Sequence, residues 1–253
     1  MPRTKHRSCL SIRSGQCSSR TNSSPGGKKM WCVPKLTPLF RERMDDILAL
    51  YTEPLPAGHE LHCFDEVSKQ LLGTPRGGQP CAPGTVRRLD YEYKRNGTRN
   101  LFVAVNPLVG ERTVAVTERR TAADTANFLW HYCMEEHRTA AHIHLVLDNL
   151  NTHLRGSLTK VWGDQKTAAF FARVTLHHTP THASWLNMAE CEISCLKTQG
   201  LKTRLADEAV LKNTVAAITA WRNQHRRKIT WTFTTKKAQE KFPELYRELG
   251  VVN

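Results

Sequence analysis

The sequence has no Cys-x-x-Cys pair, no apolar run of membrane-spanning length and, over residues 1–30, not one acid. Each absence excludes something. The eight cysteines, at 9, 17, 32, 63, 81, 133, 191 and 195, follow no regular spacing, so they read as reduced thiols rather than as a disulfide framework. Cys191 and Cys195 lie one helical turn apart but have no second ligand pair nearby, which argues against a structural zinc site built on them. No stretch reaches the ~18 to 20 apolar residues that a membrane helix needs. A cytoplasmic protein is expected.

What is present is positive charge. Lys plus Arg number 37 against 23 for Asp plus Glu, a formal net charge of +14. Such a field favours a polyanion and adds salt-sensitive affinity for phosphate backbones, but it selects a class of partner and no activity. Residues 1–30 hold Arg3, Lys5, Arg7, Arg13, Arg20, Lys28 and Lys29 among seven serines. They read as a disordered basic tail. A transit peptide is the second reading, ranked lower because no amphipathic helix is visible. A third reading is that the tail is not native domain sequence.

From Thr37 the pattern changes. Thr37 as N-cap, Pro38 at the first helical position and Phe40, Met44, Ile47, Leu48 and Tyr51 on one face predict a helix. A strand is expected over Glu60–Val67, where Asp65 and Glu66 must point to opposite faces. Leu89–Val103 carries strand-formers on both sides of Asn96-Gly97, which predicts a hairpin turn there. A second reversal at Pro107–Gly110 leads to a strand near Thr113–Thr117. A helix is expected over Ala122–Glu136, with Ala126, Phe128, Leu129, Tyr132 and Cys133 buried.

Ile143, Leu145, Val146 and Leu147 form a short apolar run free of Gly and Pro, which reads as a strand buried on both faces. It stops at Asp148, followed by Asn149. An acid there lies at the end of a central strand, where ligands bind in open α/β sheets. An Asp-Asn turn capping the next helix is the plainer alternative. Helix is expected over Leu154–Phe171 and strand over Val174–His177. The histidines of His177-His178-Thr-Pro-Thr-His182 lack a helix register and are not read as metal ligands. A single helix is predicted over Ala183–Lys197, capped near Ser184. Its stripe is Trp185, Leu186, Ala189, Ile193 and Leu196, leaving Glu190 and Glu192 on opposite edges, equally near the core boundary. Asp207–Arg226 is expected to pack through Val210, Leu211, Thr214, Ala217, Ile218 and Trp221, and the positive cluster at its end, Arg222, His225, Arg226, Arg227 and Lys228, reads both as favourable charge at a helix C-terminus and as phosphate contact along a duplex. A closing helix is expected over Lys236–Leu249. The order of elements predicts a mixed α/β sheet flanked by helices.

Three segments carry a resemblance: Cys-Phe-Asp65-Glu, Leu-Asp148-Asn-Leu-Asn-Thr-His153, and Thr-Pro-Thr-His-Ala-Ser-Trp-Leu-Asn187-Met-Ala-Glu190. Together they resemble the DDE transposases of bacterial insertion sequences related to mariner elements. The likeness extends from about Lys28 to Arg247 and includes Tyr91-Glu-Tyr-Lys-Arg-Asn-Gly-Thr, Val116-Thr-Glu-Arg-Arg-Thr-Ala and Trp231-Thr-Phe-Thr-Thr.

The resemblance implies an RNase H-like fold, with a linker helix over 31–57, a catalytic core over 58–204 and a C-terminal helical extension over 205–253. It implies Asp65, Asp148 and Glu190 as catalytic acids and ligands of Mg²⁺ or Mn²⁺, as two ions, and gives Glu192 only a helix-surface role. Asn149, His153, His182 and Asn187 would support them. Arg119, Arg120, Lys197, Arg222, Arg226, Arg227 and Lys228 would contact duplex DNA, in a homodimer acting on the bacterial nucleoid. The chain departs from the compact mariner pattern in a longer stretch between Asp148 and Glu190, which implies an inserted helix, and residues 1–27 match nothing in it. A nuclease without strand transfer and an inactive DNA-binding remnant are the alternatives.

Overall fold

The computed structural model describes residues 36–76, 78–86, 88, 90–149 and 155–247. The expected basic tail and His153 lie outside the described residues. Helix α1, Pro38–Thr52, starts as its sequence dictates: the Thr37 side chain accepts from the Phe40 N–H at 3.1 Å and Pro38 occupies the first turn. Phe40, Met44, Ile47 and Leu48 are buried, each contributing about 1.5–3 kcal/mol in apolar transfer.

Strand β1, His59–Gly73, runs well beyond the expected span. It pairs antiparallel with β2, Lys94–Asn106, which pairs antiparallel with β3, Glu111–Thr117. On its other side β1 pairs in parallel with β4, His142–Leu147, and β4 with β5, Val174–His178. The sheet order is β3-β2-β1-β4-β5, the RNase H-like arrangement implied by the resemblance. β1 and β4 are therefore adjacent and central.

Alternation along β1 splits the core. Leu61 and Cys63 join α1 and Val146 on one face; Phe64 joins Phe102, Ile143 and Leu145 on the other. That second face is covered by α2, Ala122–Trp130, by α3, Arg155–Trp162, and by α4, Asp164–Phe171, through Ala126, Phe128, Leu129, Leu158 and Phe170. The first face also receives α5, Ala189–Leu196. α6, Glu208–Gln224, packs on β3, while α7, Thr235–Lys241, and α8, Pro243–Arg247, return against α1 through Ala238 and Tyr246.

Several expectations are corrected. Asn96-Gly97 makes no hairpin: β2 runs straight through it, and the register with β1 shifts between Gln70 and Leu72. Gly97 takes φ +97°, so the left-handed geometry demanded by Asn-Gly goes into a β-bulge instead of a turn. The three antiparallel neighbours are β1, β2 and β3, so only two of them, β2 and β3, lie within 89–117. The helix after α2 changes character, continuing as a π-helical segment, His131–Glu136. The helix expected over Leu154–Phe171 is interrupted at Gly163, where φ is +78°, and the closing helix breaks at Pro243.

The largest correction concerns α6. Its buried residues are Leu211, Val215 and Arg222, while Val210 and Trp221 are exposed. Arg222 is inside, not on a DNA-facing surface. Its guanidinium meets Glu192 through Nε–Oε1 at 2.7 Å and Nη2–Oε2 at 2.8 Å, and Arg112 of β3 adds Nε at 3.3 Å from the same carboxylate. Glu192 is fully buried rather than on a helix surface. This carboxylate ties α5 to α6 and β3.

Candidate active site

Asp65 lies in the middle of β1. The parallel register ends at Cys63 opposite Val146, so two residues further along each strand come Asp65 and Asp148, with the same side-chain parity. Neighbouring strands are about 4.8 Å apart. Asp148 sits just past the end of β4, where His178 of β5 meets its carbonyl oxygen through Nδ1 at 3.2 Å.

Burial pushes the Asp65 carboxyl up to about 7. The Glu66 N–H, donating to Oδ1 at 2.7 Å, opposes this, while the charges of Glu190, Asp148 and Glu66 add to it. All three acids therefore share one electrostatic environment. Glu66 points to the opposite face, where it accepts from the Thr125 hydroxyl at 3.2 Å, as strand alternation requires.

Glu190 is delivered by Asn187. The expected continuous helix over 183–197 is instead a 3₁₀ turn, Ser184–Leu186, followed by α5. Asn187 is fully buried in the break. Its Nδ2 donates to the Phe64 carbonyl at 2.8 Å, and its Oδ1 accepts the Ala189 N–H at 3.0 Å. The residue before Asp65 is thus stapled to the first turn of the helix bearing Glu190. The Tyr51 hydroxyl adds a second tie, donating to the Leu186 carbonyl at 2.8 Å. Glu190 is partly exposed and Glu192 fully buried, which separates the two glutamates that periodicity leaves equal.

Of the other expected residues, Asn149 and His182 are exposed, and His182 has φ +63°. His177 turns away to Asp46 and His144, at 2.7 and 3.1 Å. Arg119, Arg120, Lys197, Arg226, Arg227 and Lys228 are exposed. Arg226 pairs with Glu111, and Arg227 stands over the Trp221 ring.

A hard divalent cation fits this donor set: the three acids offer only oxygens, and their mutual repulsion around a buried carboxyl is what such an ion offsets. They are spread more widely than one compact cluster. Among the described residues, the group of three whose ligand atoms all lie within 4.8 Å is Glu60, His62 and His137.

A family model described as DDE superfamily endonuclease matches residues 60–212, more than half of the chain and all three acids. The chain belongs to the DDE superfamily endonucleases. No curated protein matches it. Among solved structures, this chain is similar to the Mos1 mariner paired end complex with Mn, at 13% identity and a TM-score of 0.55 over 81% of this chain and 63% of that one. It is similar also to the Mos1 transposase paired-end complex with left transposon end, at 14% identity and 0.53 over 81% and 64%. The catalytic domain of Mos1 mariner transposase aligns at 13% identity and 0.50, over 78% of this chain and 92% of that one. The likeness is one of fold, and the chain spans less than two thirds of the Mos1 chains in these two paired-end complexes.

Proposed function

We propose that this endonuclease is the catalytic part of a transposase, cutting duplex DNA at the ends of an insertion sequence of the bacterial nucleoid and joining them to target DNA. The observation that carries the reading is the common environment of Asp65, Asp148 and Glu190 within a family whose name states endonuclease chemistry. Both steps are in-line displacements at phosphorus. Two Mg²⁺ or Mn²⁺ ions held by these acids would supply positive charge to the attacking and leaving oxygens. A carboxylate set wider than a single coordination sphere suits a pair of ions.

The chain's own residues prepare that chemistry. Asp65 is buried enough that its carboxyl is about half protonated near neutrality, so it ionises fully only against a compensating charge. Asn187 holds Glu190 against the same strand, which fixes the acids before substrate arrives. Exposed Arg119, Arg120, Lys197, Arg227 and Lys228 would grip phosphates without reading bases. A homodimer would bring two such sites to two element ends at once; the similar Mos1 structures are named paired-end complexes, one of them with left transposon end.

The test uses a labelled element-end duplex with a free 3′-hydroxyl and a supercoiled target plasmid, in Mg²⁺ or Mn²⁺. Joined products are expected from the wild type, and neither nicks nor joints from Glu190→Gln, with DNA retention and circular dichroism unchanged. Nicking without joining would assign a nuclease that lacks strand transfer. Loss of neither reaction in Glu190→Gln would remove Glu190 from the site.

A further inference from the structure

A second cluster of metal-binding groups stands on the opposite face of the sheet from the acids. Glu60 and His62 share a parity on β1 opposite to that of Asp65, which lies about 10 Å further along the strand. The Glu60 Oε2 lies 2.8 Å from His62 Nε2 and 2.9 Å from His137 Nδ1. The three ligand atoms fall within 4.8 Å of one another.

The cluster is held from behind. His62 is completely buried, and its other ring nitrogen, Nδ1, meets the Tyr132 hydroxyl at 2.6 Å. Tyr132 and His137 are brought to the same imidazole by the π-helical segment: the His137 N–H donates to the Tyr132 carbonyl, five residues back, at 3.1 Å. π-Helical insertions of this kind concentrate at functional sites. Arg173 Nη2 then donates to the carbonyls of His137, Arg138 and Ala140 at 2.9–3.1 Å, fixing the segment that carries the third ligand. Glu60 and His137 are partly open to solvent, at 29% and 16% side-chain exposure.

We propose that Glu60, His62 and His137 form a binding site for a borderline transition-metal ion of the Zn²⁺ type, separate from the acidic site. Two imidazoles and a carboxylate are a common three-ligand set for Zn²⁺, with water completing a tetrahedron on the exposed side. Bonds of about 2.0–2.1 Å put tetrahedral ligand atoms roughly 3.3 Å apart, so the observed contacts need open by only about half an ångström. With the ion bound, the ligating nitrogens, Nε2 of His62 and Nδ1 of His137, carry no proton, so each neutral ring holds its N–H at the other nitrogen, which for His62 is Nδ1 with the Tyr132 hydroxyl as acceptor. Tyr132 is then the outer-shell group that orients the ligand. The ion would pin the start of β1 to the end of the π-helical segment.

The inference stands independently of the transposase reading. Its test is Zn²⁺ uptake by the full chain in excess Mg²⁺, followed by a chromophoric chelator and by thermal melting, with Co²⁺ as a spectroscopic probe. One Zn²⁺ per chain, a raised melting temperature and a tetrahedral Co²⁺ spectrum are expected, all retained in Asp148→Asn. Glu60→Gln and His137→Ala should lose them, and Tyr132→Phe should weaken Zn²⁺ binding about 10- to 100-fold without loss of fold. Zn²⁺ uptake abolished by Asp148→Asn, or unaltered in both Glu60→Gln and His137→Ala, would overturn the proposal.

Discussion

At the scale of single residues, Asp65 shows a site working against stability. Its folded carboxyl, at about 7, lies above the ordinary 3.8 of the unfolded chain. A raised folded value means that its contribution to stability is complete below about pH 4 and is lost as pH rises through about 7. The ionised side chain then costs up to roughly 4 kcal/mol, as an upper bound. Asp65→Asn is therefore expected to abolish cleavage yet raise the melting temperature at about pH 8 by roughly 5–10 °C, with the gain shrinking toward about pH 5. Divalent cation should raise the wild-type melting temperature more than the variant's. Melts over this pH range check it, and a variant less stable than wild type at about pH 8 would contradict the stated origin of the shift.

Glu192 is the converse case, a carboxylate whose charge holds the fold. Removing it leaves Arg112 and Arg222 buried against each other. Glu192→Gln is expected to cost about 3–5 kcal/mol, far more than a surface substitution. Denaturant unfolding of Glu192→Gln beside Glu190→Gln measures the difference, and only the first should shift its midpoint strongly.

At the scale of elements, what was legible in the sequence followed local rules. The Thr37 cap, the β4 run ending before Asp148 and the Pro107–Gly110 reversal each need only a few adjacent residues, and each is found in place. Asp65, Asp148 and Glu190 are nominated by their motifs, not by periodicity. What escaped depends on distant partners. Amphipathicity places Trp221 inside and Arg222 outside, because it scores Arg as polar and cannot see a carboxylate thirty positions earlier. Asn-Gly signals positive φ but not whether a bulge or a turn uses it. The break before α5 was hidden because Asn187 finds its acceptor on β1. Asn187→Ala removes the Nδ2 bond to the Phe64 carbonyl, at about 0.5–1.5 kcal/mol, and the Oδ1 acceptor of the Ala189 N–H, which frees the first turn of α5. Below its melting temperature the variant should lose kcat in the nicking assay with DNA affinity unchanged; equal losses of both would make the residue a general fold element only.

At the scale of the whole molecule, the charge of +14 is unevenly useful. Arg112 and Arg222 are consumed inside, and Arg226 is occupied by Glu111. Gly110, at φ +81°, lets the chain after α6 cross the β2–β3 turn, since a Cβ there would stand 2.6 Å from the Arg226 backbone carbon. That crossing presents Arg227 and Lys228 on the surface. Cations displayed at turns and strand ends meet phosphates, which give affinity and no sequence information. This chain is therefore expected to bind duplex DNA in the ~10⁻⁴ to 10⁻⁶ M range at physiological salt, with little preference for element ends. Arg227→Ala and Lys228→Ala should each reduce the slope of log affinity against log salt by about 0.9 and leave the melting temperature unchanged. Arg222→Ala should do the reverse, lowering the melting temperature while keeping the slope. Salt titrations of scrambled and element-end duplexes check both points. A hundredfold preference for the element end, on the order of 3 kcal/mol, would mean that a base-reading surface exists in this chain beyond its phosphate contacts.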